Sequence, residues 1–168
     1  IDAVGPCLDE QLPDEHSPCS PLSDYGWSKL ESEKVLLQTQ VTSSFPTSLQ
    51  ILRLGNIYGP GSDFIIVDIA RAIKSEGADP LLEYYHEIAP CTVHLCFVDD
   101  AVDAITMASN MTESHVFHIS GQEPSKVGEL FEAVSLAMNR SIAIPLEIEG
   151  KAEQLRKRHE EYLSVKKK

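Results

Sequence analysis

Apolar and polar positions change period along the chain, and each change predicts an element. From Tyr25 to about Gln40 the pattern is helical: Leu30, Val35, Leu36 and Leu37 supply an apolar side, while Glu31, Glu33 and Lys34 are expected to face water. Asp24 stands where a helix cap is wanted. "SLQILRL", 48 to 54, reads as a strand that runs into "GNIYGPG", a loop by its glycines and proline. "DFIIVDIARAIKSEG", 63 to 77, reads as a second helix, with Asp63 near its start and Gly77 at its end. "LLEYYHE" and "TVHLCFV" are short strand candidates, and "DDAVDAITMASN" is a third helix with Asp99 or Asp100 placed to cap it. "SHVFHIS", 114 to 120, is another strand, and "EPSKVGELFEAVSLAMN" a fourth helix capped by Ser125. "SIAIPLEI" is a last strand candidate, and residues 150 to 163 a last amphipathic helix. Helices alternating with strands predict an α/β fold with parallel strands joined by crossovers.

Residues 5 to 24 break the alternation. They hold four prolines and no sustained period, so they read as a long surface loop, a kind of segment that is usually functional. There is no repeat and no low-complexity segment.

Composition narrows the function classes. The 168 residues are enough for one domain with a core, and 42% apolar with 24% charged residues is ordinary for a globular chain. A formal net charge of −12 argues against nucleic-acid binding, which needs a basic surface. The charge is uneven: residues 151–168 hold seven Lys/Arg and three Glu, a net of +4, which leaves −16 for the rest. That segment reads as a charged terminal helix or tail. No apolar run approaches the roughly 18 residues of a membrane span. Cys7, Cys19, Cys91 and Cys96 follow C-x11-C and C-x4-C spacings, which match no common zinc pattern, so no metal is expected. Reduced thiols in a cytoplasmic protein are the favoured reading, with a Cys91–Cys96 disulfide left open. The chain opens on Ile1 rather than Met and is expected to be a single fragment or processed product.

The candidate chemistry lies in "DYGWSK", 24 to 29. Positions four apart on a helix share a face, so the Lys29 ammonium can lie close to the phenol of Tyr25. A free phenol, with a pKa of about 10, is a poor base at neutral pH, and a neighbouring cation stabilises its phenolate. Bringing a phenol to about 7 takes roughly 4 kcal/mol of differential stabilisation. Such a group can take a proton from an alcohol or give one to a carbonyl. The spacing alone is weak: "YLSVK" puts Tyr162 and Lys166 at the same separation on the charged tail, where the pair reads as a decoy.

"YGWSKLESEKVLL", "ILRLGNIYGPG", "LCFVDDAVDAI" and "SHVFHISGQEPSKVGELFEAV" occur in that order. Together they resemble the C-terminal half of an extended short-chain dehydrogenase/reductase of the NAD-dependent epimerase/dehydratase type, over roughly residues 1 to 140. The resemblance implies a partial doubly wound Rossmann-type parallel sheet with a small C-terminal substrate-binding region, an NAD or NADP cofactor, and a small-molecule or carrier-bound substrate. It makes Tyr25 the proton-transferring tyrosine and Lys29 the residue that holds the nicotinamide ribose and activates Tyr25. Leu54 and Gly55 would lie near the nicotinamide, and Asn56 would point toward the substrate. A tight strand-to-loop turn explains Asn56 and the glycines equally well. For Asp99 and Asp100 a helix cap is the better reading, and Arg53 reads as structural. A homodimer through the Tyr25 helix is a further expectation.

The resemblance also places features ahead of this chain. The family's glycine-rich turn for the pyrophosphate would lie upstream, and "GNIYGPG" does not replace it. The family's catalytic Ser or Thr falls at Ile1, which has no hydroxyl, or at the residue before it. The 168 residues alone are therefore expected to bind dinucleotide poorly and turn over little. Nucleotide-sugar enzymes of this type often carry an arginine before the phenylalanine of "FVDD"; here Thr92, Val93, His94, Leu95 and Cys96 stand there. This weakens a sugar-nucleotide substrate and keeps two alternatives open: a thioester reductase acting on carrier-bound acyl chains, and an inactive relative serving as a binding or structural subunit. His94 reads as packed rather than as a phosphate contact.

Overall fold

A computed structural model of the chain describes residues 3–5, 13–44, 47–75 and 88–140. Their elements, in chain order, are α1 (Asp24–Thr42), β1 (Gln50–Leu54), β2 (Asn56–Tyr58), α2 (Ile66–Lys74), β3 (Thr92–Val93), β4 (Leu95–Phe97), α3 (Val98–Ser109), β5 (His115–Ile119), β6 (Ser125–Lys126) and α4 (Val127–Ala137). Strands pair as β1–β5, β2–β4 and β3–β6. The chain divides into two compact units, Ile1–Ile57 with Cys96–Gly121, and Tyr58–Leu95 with Gln122–Lys168. "LLEYYHE", Gly77, "SIAIPLEI", residues 150 to 163 and the Tyr162/Lys166 pair lie outside the described residues.

The first unit is built on the parallel pair β1–β5, in register from Gln50↔His115 to Leu54↔Ile119. The crossover expected between parallel strands is thus present. Helix α1 starts one residue earlier than its pattern suggests. Ser23, not Asp24, is the cap: its backbone is extended, and its Oγ accepts the Gly26 N–H at 3.0 Å. Asp24 sits in the first turn, where a carboxylate is favoured by the helix dipole.

The inner stripe of α1 also differs from the expected one. Gly26 and Leu30 are buried, and Glu33 follows them on the same face, whereas Val35, Leu36 and Leu37 are exposed. Glu33 does not face water. It pairs with Arg53 of β1, and Val35, Leu36 and Leu37 lie on the outward side of the helix. Helix α3 buries Ala101 and Ala108 one heptad apart and packs on β1. Its cap position is Phe97, with no capping side chain, so Asp99 and Asp100 are first-turn residues rather than caps. At the edge of the unit, Gly5 has φ 96°, and a Cβ there would meet the Ser20 carbonyl oxygen at 2.1 Å. Only glycine lets the chain pass so close. Ser20 N–H donates to Val4 O at 2.8 Å beside it.

The second unit is a helix pair. Ile69, Ala72 and Ile73 of α2 meet Val127, Leu130 and Phe131 of α4, each set at i, i+3, i+4 spacing. Five of these six are fully buried, and each large aliphatic or aromatic side chain contributes about 1.5–3 kcal/mol by leaving water. "TVHLCFV" is not one strand: β3 and β4 are separated at His94, and Val98 already belongs to α3. Ser125 does not cap α4 but lies in β6, antiparallel to Val93. The first N–H groups of α4 are satisfied otherwise. Val127 N–H donates to Cys91 O at 3.0 Å and Gly128 N–H to Ala89 O at 2.8 Å, while the Glu129 carboxylate accepts the Lys126 N–H at 2.8 Å. Asp63 stands ahead of α2 and pairs with Arg71 at 2.7 Å. Cys19, Cys91 and Cys96 are free thiols, so no Cys91–Cys96 bridge exists.

Candidate functional site

Tyr25 and Lys29 stand one turn apart at the start of α1, and the structure brings them together: the Lys29 ammonium lies over the Tyr25 ring, 5.0 Å from its centroid. Tyr25 is 54% exposed and Lys29 is exposed as well. Ser28 Oγ donates to the Tyr25 carbonyl at 2.7 Å, so this serine is spent within the helix. Among the described residues Lys29 forms no ion pair.

Leu54, Gly55 and Asn56 follow one another at the C-terminal end of β1. Leu54 and Asn56 are half-buried and Gly55 is buried, with its N–H donating to Ile119 O at 2.8 Å. No hydrogen bond or ion pair joins these three to Tyr25 or Lys29. The direction of α1 nevertheless carries both groups to the same end of the sheet. Gln40, near the end of α1, bonds Ser114 just ahead of β5, and Glu33 bonds Arg53 near the end of β1. A helix rises about 1.5 Å per residue, so Lys29 and Tyr25 extend about 6 and 12 Å beyond Glu33. A strand rises about 3.3 Å per residue, so Asn56 lies about 10 Å beyond Arg53. These rises carry the phenol and ammonium toward the carboxyl ends of β1 and β5, the end at which parallel α/β sheets bind ligands.

Beneath this pair lies a charge network that reading the sequence missed. Arg53 Nε donates to Glu33 Oε1 at 3.0 Å and Arg53 Nη2 to Glu33 Oε2 at 2.7 Å, a bidentate grip with side chains only 9% and 13% exposed. The grip holds the guanidinium above its ordinary pKa, through the hydrogen bond to Glu33 first. Arg53 Nη1 meets His118 Nε2 at 3.2 Å, and the two residues are register partners across β1 and β5. A backbone hydrogen bond at Pro13 also reaches His118. With Nε2 accepting from Arg53, the neutral tautomer carries its proton on Nδ1. Burial first, then the Arg53 charge, pushes His118 below its ordinary value, against the pull of Glu15. The Glu15 carboxylate accepts the His118 backbone N–H at 2.8 Å, and that bond above all holds Glu15 below the usual carboxylate range. The structural reading of Arg53 is borne out. The available signal was an arginine and a histidine inside the apolar runs "ILRL" and "VFHI", each needing a partner if buried.

His94 is half-buried at the break between β3 and β4. Among the described residues no group of three His, Cys, Asp or Glu side chains could hold a metal ion, and no helix is long and apolar enough to cross a membrane.

The family model described as NAD dependent epimerase/dehydratase matches residues 3–120, well over half of the chain. This chain belongs to that family. The match runs from the Ala3–Gly5 segment through α1, β1 and α3 to the end of β5. A dTDP-L-rhamnose 4-epimerase from Burkholderia thailandensis is 34% identical over an alignment covering 62% of this chain and 30% of that protein. Among solved structures, UDP-glucose 4-epimerase from Thermus thermophilus in complex with NAD is 20% identical, with a TM-score of 0.66, over 86% of this chain and 47% of that one. A dTDP-glucose 4,6-dehydratase from Streptomyces venezuelae with NAD bound is 24% identical, with a TM-score of 0.69, over 83% and 42%. The RMD protein of Pseudomonas aeruginosa, complexed with NADPH, is 22% identical, with a TM-score of 0.66, over 93% and 56%. The epimerase/dehydratase chain thus has a partial Rossmann-type α/β fold, as expected. It spans about a third of the curated relative and about half of these solved structures.

Proposed function

We infer that this epimerase/dehydratase chain carries the proton-transfer part of an NAD(P)-dependent site acting on a hydroxyl or carbonyl of a nucleotide sugar. The observation that carries the reading is the exposed Tyr25 with the Lys29 ammonium 5.0 Å over its ring, within the family-matched segment. The groups fit one end of a nicotinamide dinucleotide: an ammonium and a phenol suit a ribose diol, and the Leu54–Gly55 corner suits an adjoining ring. When bound, the cofactor exchanges a hydride with a substrate carbon. Tyr25 gives its phenolic proton to a carbonyl oxygen that is being reduced, or takes the hydroxyl proton of an alcohol that is being oxidised. Lys29 holds the ribose and stabilises the phenolate. Asn56 orients the substrate oxygen.

The names of the Burkholderia, Thermus and Streptomyces proteins favour a nucleotide sugar over a carrier-bound acyl chain. With no arginine before Phe97, the substrate phosphates must be held elsewhere. The outward Val35, Leu36, Leu37 and Val41 support a homodimer through α1. The test is turnover of dTDP- and UDP-hexoses with NAD and NADP in the whole protein that carries this chain. Tyr25→Phe is expected to lower kcat by about a hundredfold or more, within the range for lost acid–base catalysis. Tyr162→Phe is expected to leave kcat unchanged, and equal turnover in wild type and Tyr25→Phe would overturn the reading.

A further inference from the structure

We propose that Glu33 and Arg53 are positioning residues for the Tyr25–Lys29 pair: their bidentate ion pair sets the rotation of α1 and thereby where the phenol and ammonium point. This rests on the proposed role of Tyr25 and Lys29. Tyr25, Lys29 and Glu33 are spaced by four on one helix. At 3.6 residues per turn each step of four advances about 40°, so Tyr25 lies about 80° around the axis from Glu33. The three side chains turn as one body.

What holds that body by a buried directional contact is Glu33; Gln40, near the far end of α1, adds exposed hydrogen bonds to Thr47 and Ser114. The apolar residues of α1 that touch the interior are few: Gly26, which has no side chain to grip with, and Leu30. Val35, Leu36, Leu37 and Val41 face outward and supply no rotational hold within the described residues. A leucine in an apolar seat tolerates several degrees of roll. A planar guanidinium gripping a carboxylate through two parallel bonds does not.

Arg53 is in turn fixed from behind. It sits within β1, in register with His118 of β5, and its third nitrogen meets His118 Nε2. The backbone N–H of His118 is taken by Glu15, so the proline-rich loop closes the far side of the network. The line Glu15–His118–Arg53–Glu33 therefore ties loop, β5, β1 and α1 together through polar contacts that are directional, unlike apolar packing.

The reach of the effect follows from geometry. A helix with its side chains has a radius of about 5–6 Å, so a roll of about 10° moves the phenol by about 1 Å. A misplacement of that size at a reacting group can cost about a hundredfold in rate.

The experiment reads the roll of α1 against the sheet. Tyr25 and Lys29 share the helix and keep their mutual geometry when it rolls, so the readout is the phase of the backbone N–H residual dipolar couplings along α1, taken in the frame fixed by β1 and β5 in solution NMR. Glu33→Gln keeps the shape and removes the charge. The phase is expected to shift by about 10° or more, the roll that moves the phenol by about 1 Å, while far-UV circular dichroism and amide protection of β1 and β5 stay at wild-type levels. Glu31→Gln, which removes only the exposed carboxylate paired with Lys34, should leave the phase unchanged. If Glu33→Gln does not fold, Arg53→Lys retains the charge but not the two-point grip, and the same shift is expected. A wild-type phase in whichever of these variants folds, or an equal shift in Glu31→Gln, overturns the proposal. Failure of the catalytic reading is seen separately: an unaffected kcat in Tyr25→Phe would reject the site's chemistry and leave the dipolar-coupling result as it stands.

Discussion

The two units of this chain are stabilised by opposite means. In the second, α2 and α4 interlock through Ile69, Ile73, Val127 and Phe131, all fully buried, and the contacts are non-directional. In the first, the buried apolar residues are small or scattered, such as Ala3, Val4, Ala101 and Ala108, and the interior is organised around Arg53 and Glu33. Apolar packing supplies stability in proportion to area, whereas a buried ion pair adds little net stability and a great deal of orientation. The unit that bears the candidate chemistry is the one that uses the directional contact.

The largest effect should come from the apolar side of the comparison. Phe131→Ala is expected to destabilise the second unit by about 4 kcal/mol, lost transfer energy plus a cavity. Hydrogen exchange resolved by residue should show α2 and α4 losing protection. Arg53→Ala should cost the first unit about 3 kcal/mol, because Glu33 is left buried and without its cation. The sharper form is the double replacement Arg53→Met with Glu33→Leu, which should regain most of that stability in urea denaturation without restoring the wild-type rotation of α1 against β1 and β5. If the double variant keeps that rotation, the ion pair is not what orients α1.

The smallest effect is a pH dependence confined to the first unit. His118 is held below its ordinary value of 6.5 by burial first and by Arg53, so the folded state prefers the neutral ring. The unfolded chain takes up the proton earlier as pH falls. Stability present above about pH 6.5 is therefore lost as the pH drops through the lowered folded value. Glu15, also lowered, adds a separate loss below its ordinary value of 4.5. Urea midpoints at about pH 7.5 and about pH 5.5 should differ less in His118→Gln than in wild type, since glutamine can accept from Arg53 but does not titrate. An equal difference in both would show that His118 does not titrate within the network.

Much of the architecture was legible because it is local. The period of apolar residues marked α1, α2, α3, α4, β1 and β5 to within a few residues, and four motifs in order pointed to the family over roughly residues 1 to 140, where the family model matches residues 3–120. The juxtaposition of Tyr25 and Lys29 needs nothing beyond helical spacing, and the ammonium does lie over the ring. Helix starts were less legible. At the start of α1 neighbouring serine and aspartate compete for the cap and the Ser23 hydroxyl takes it, while at α4 the pairing of Ser125 and Lys126 in β6 moves the helix start to Val127.

The chain's spacing thus determined which side chains share a face, since one turn of helix brings them together wherever the helix lies. Only the tertiary structure decided which face of α1 turns inward. On hydropathy alone Leu36 and Leu37 outrank a glutamate for the interior, and no local rule reverses that order. Arg53, twenty residues away in β1, reverses it, because a carboxylate can be buried where a guanidinium meets it with two hydrogen bonds. That compensation exists only once the strand and the helix have come together.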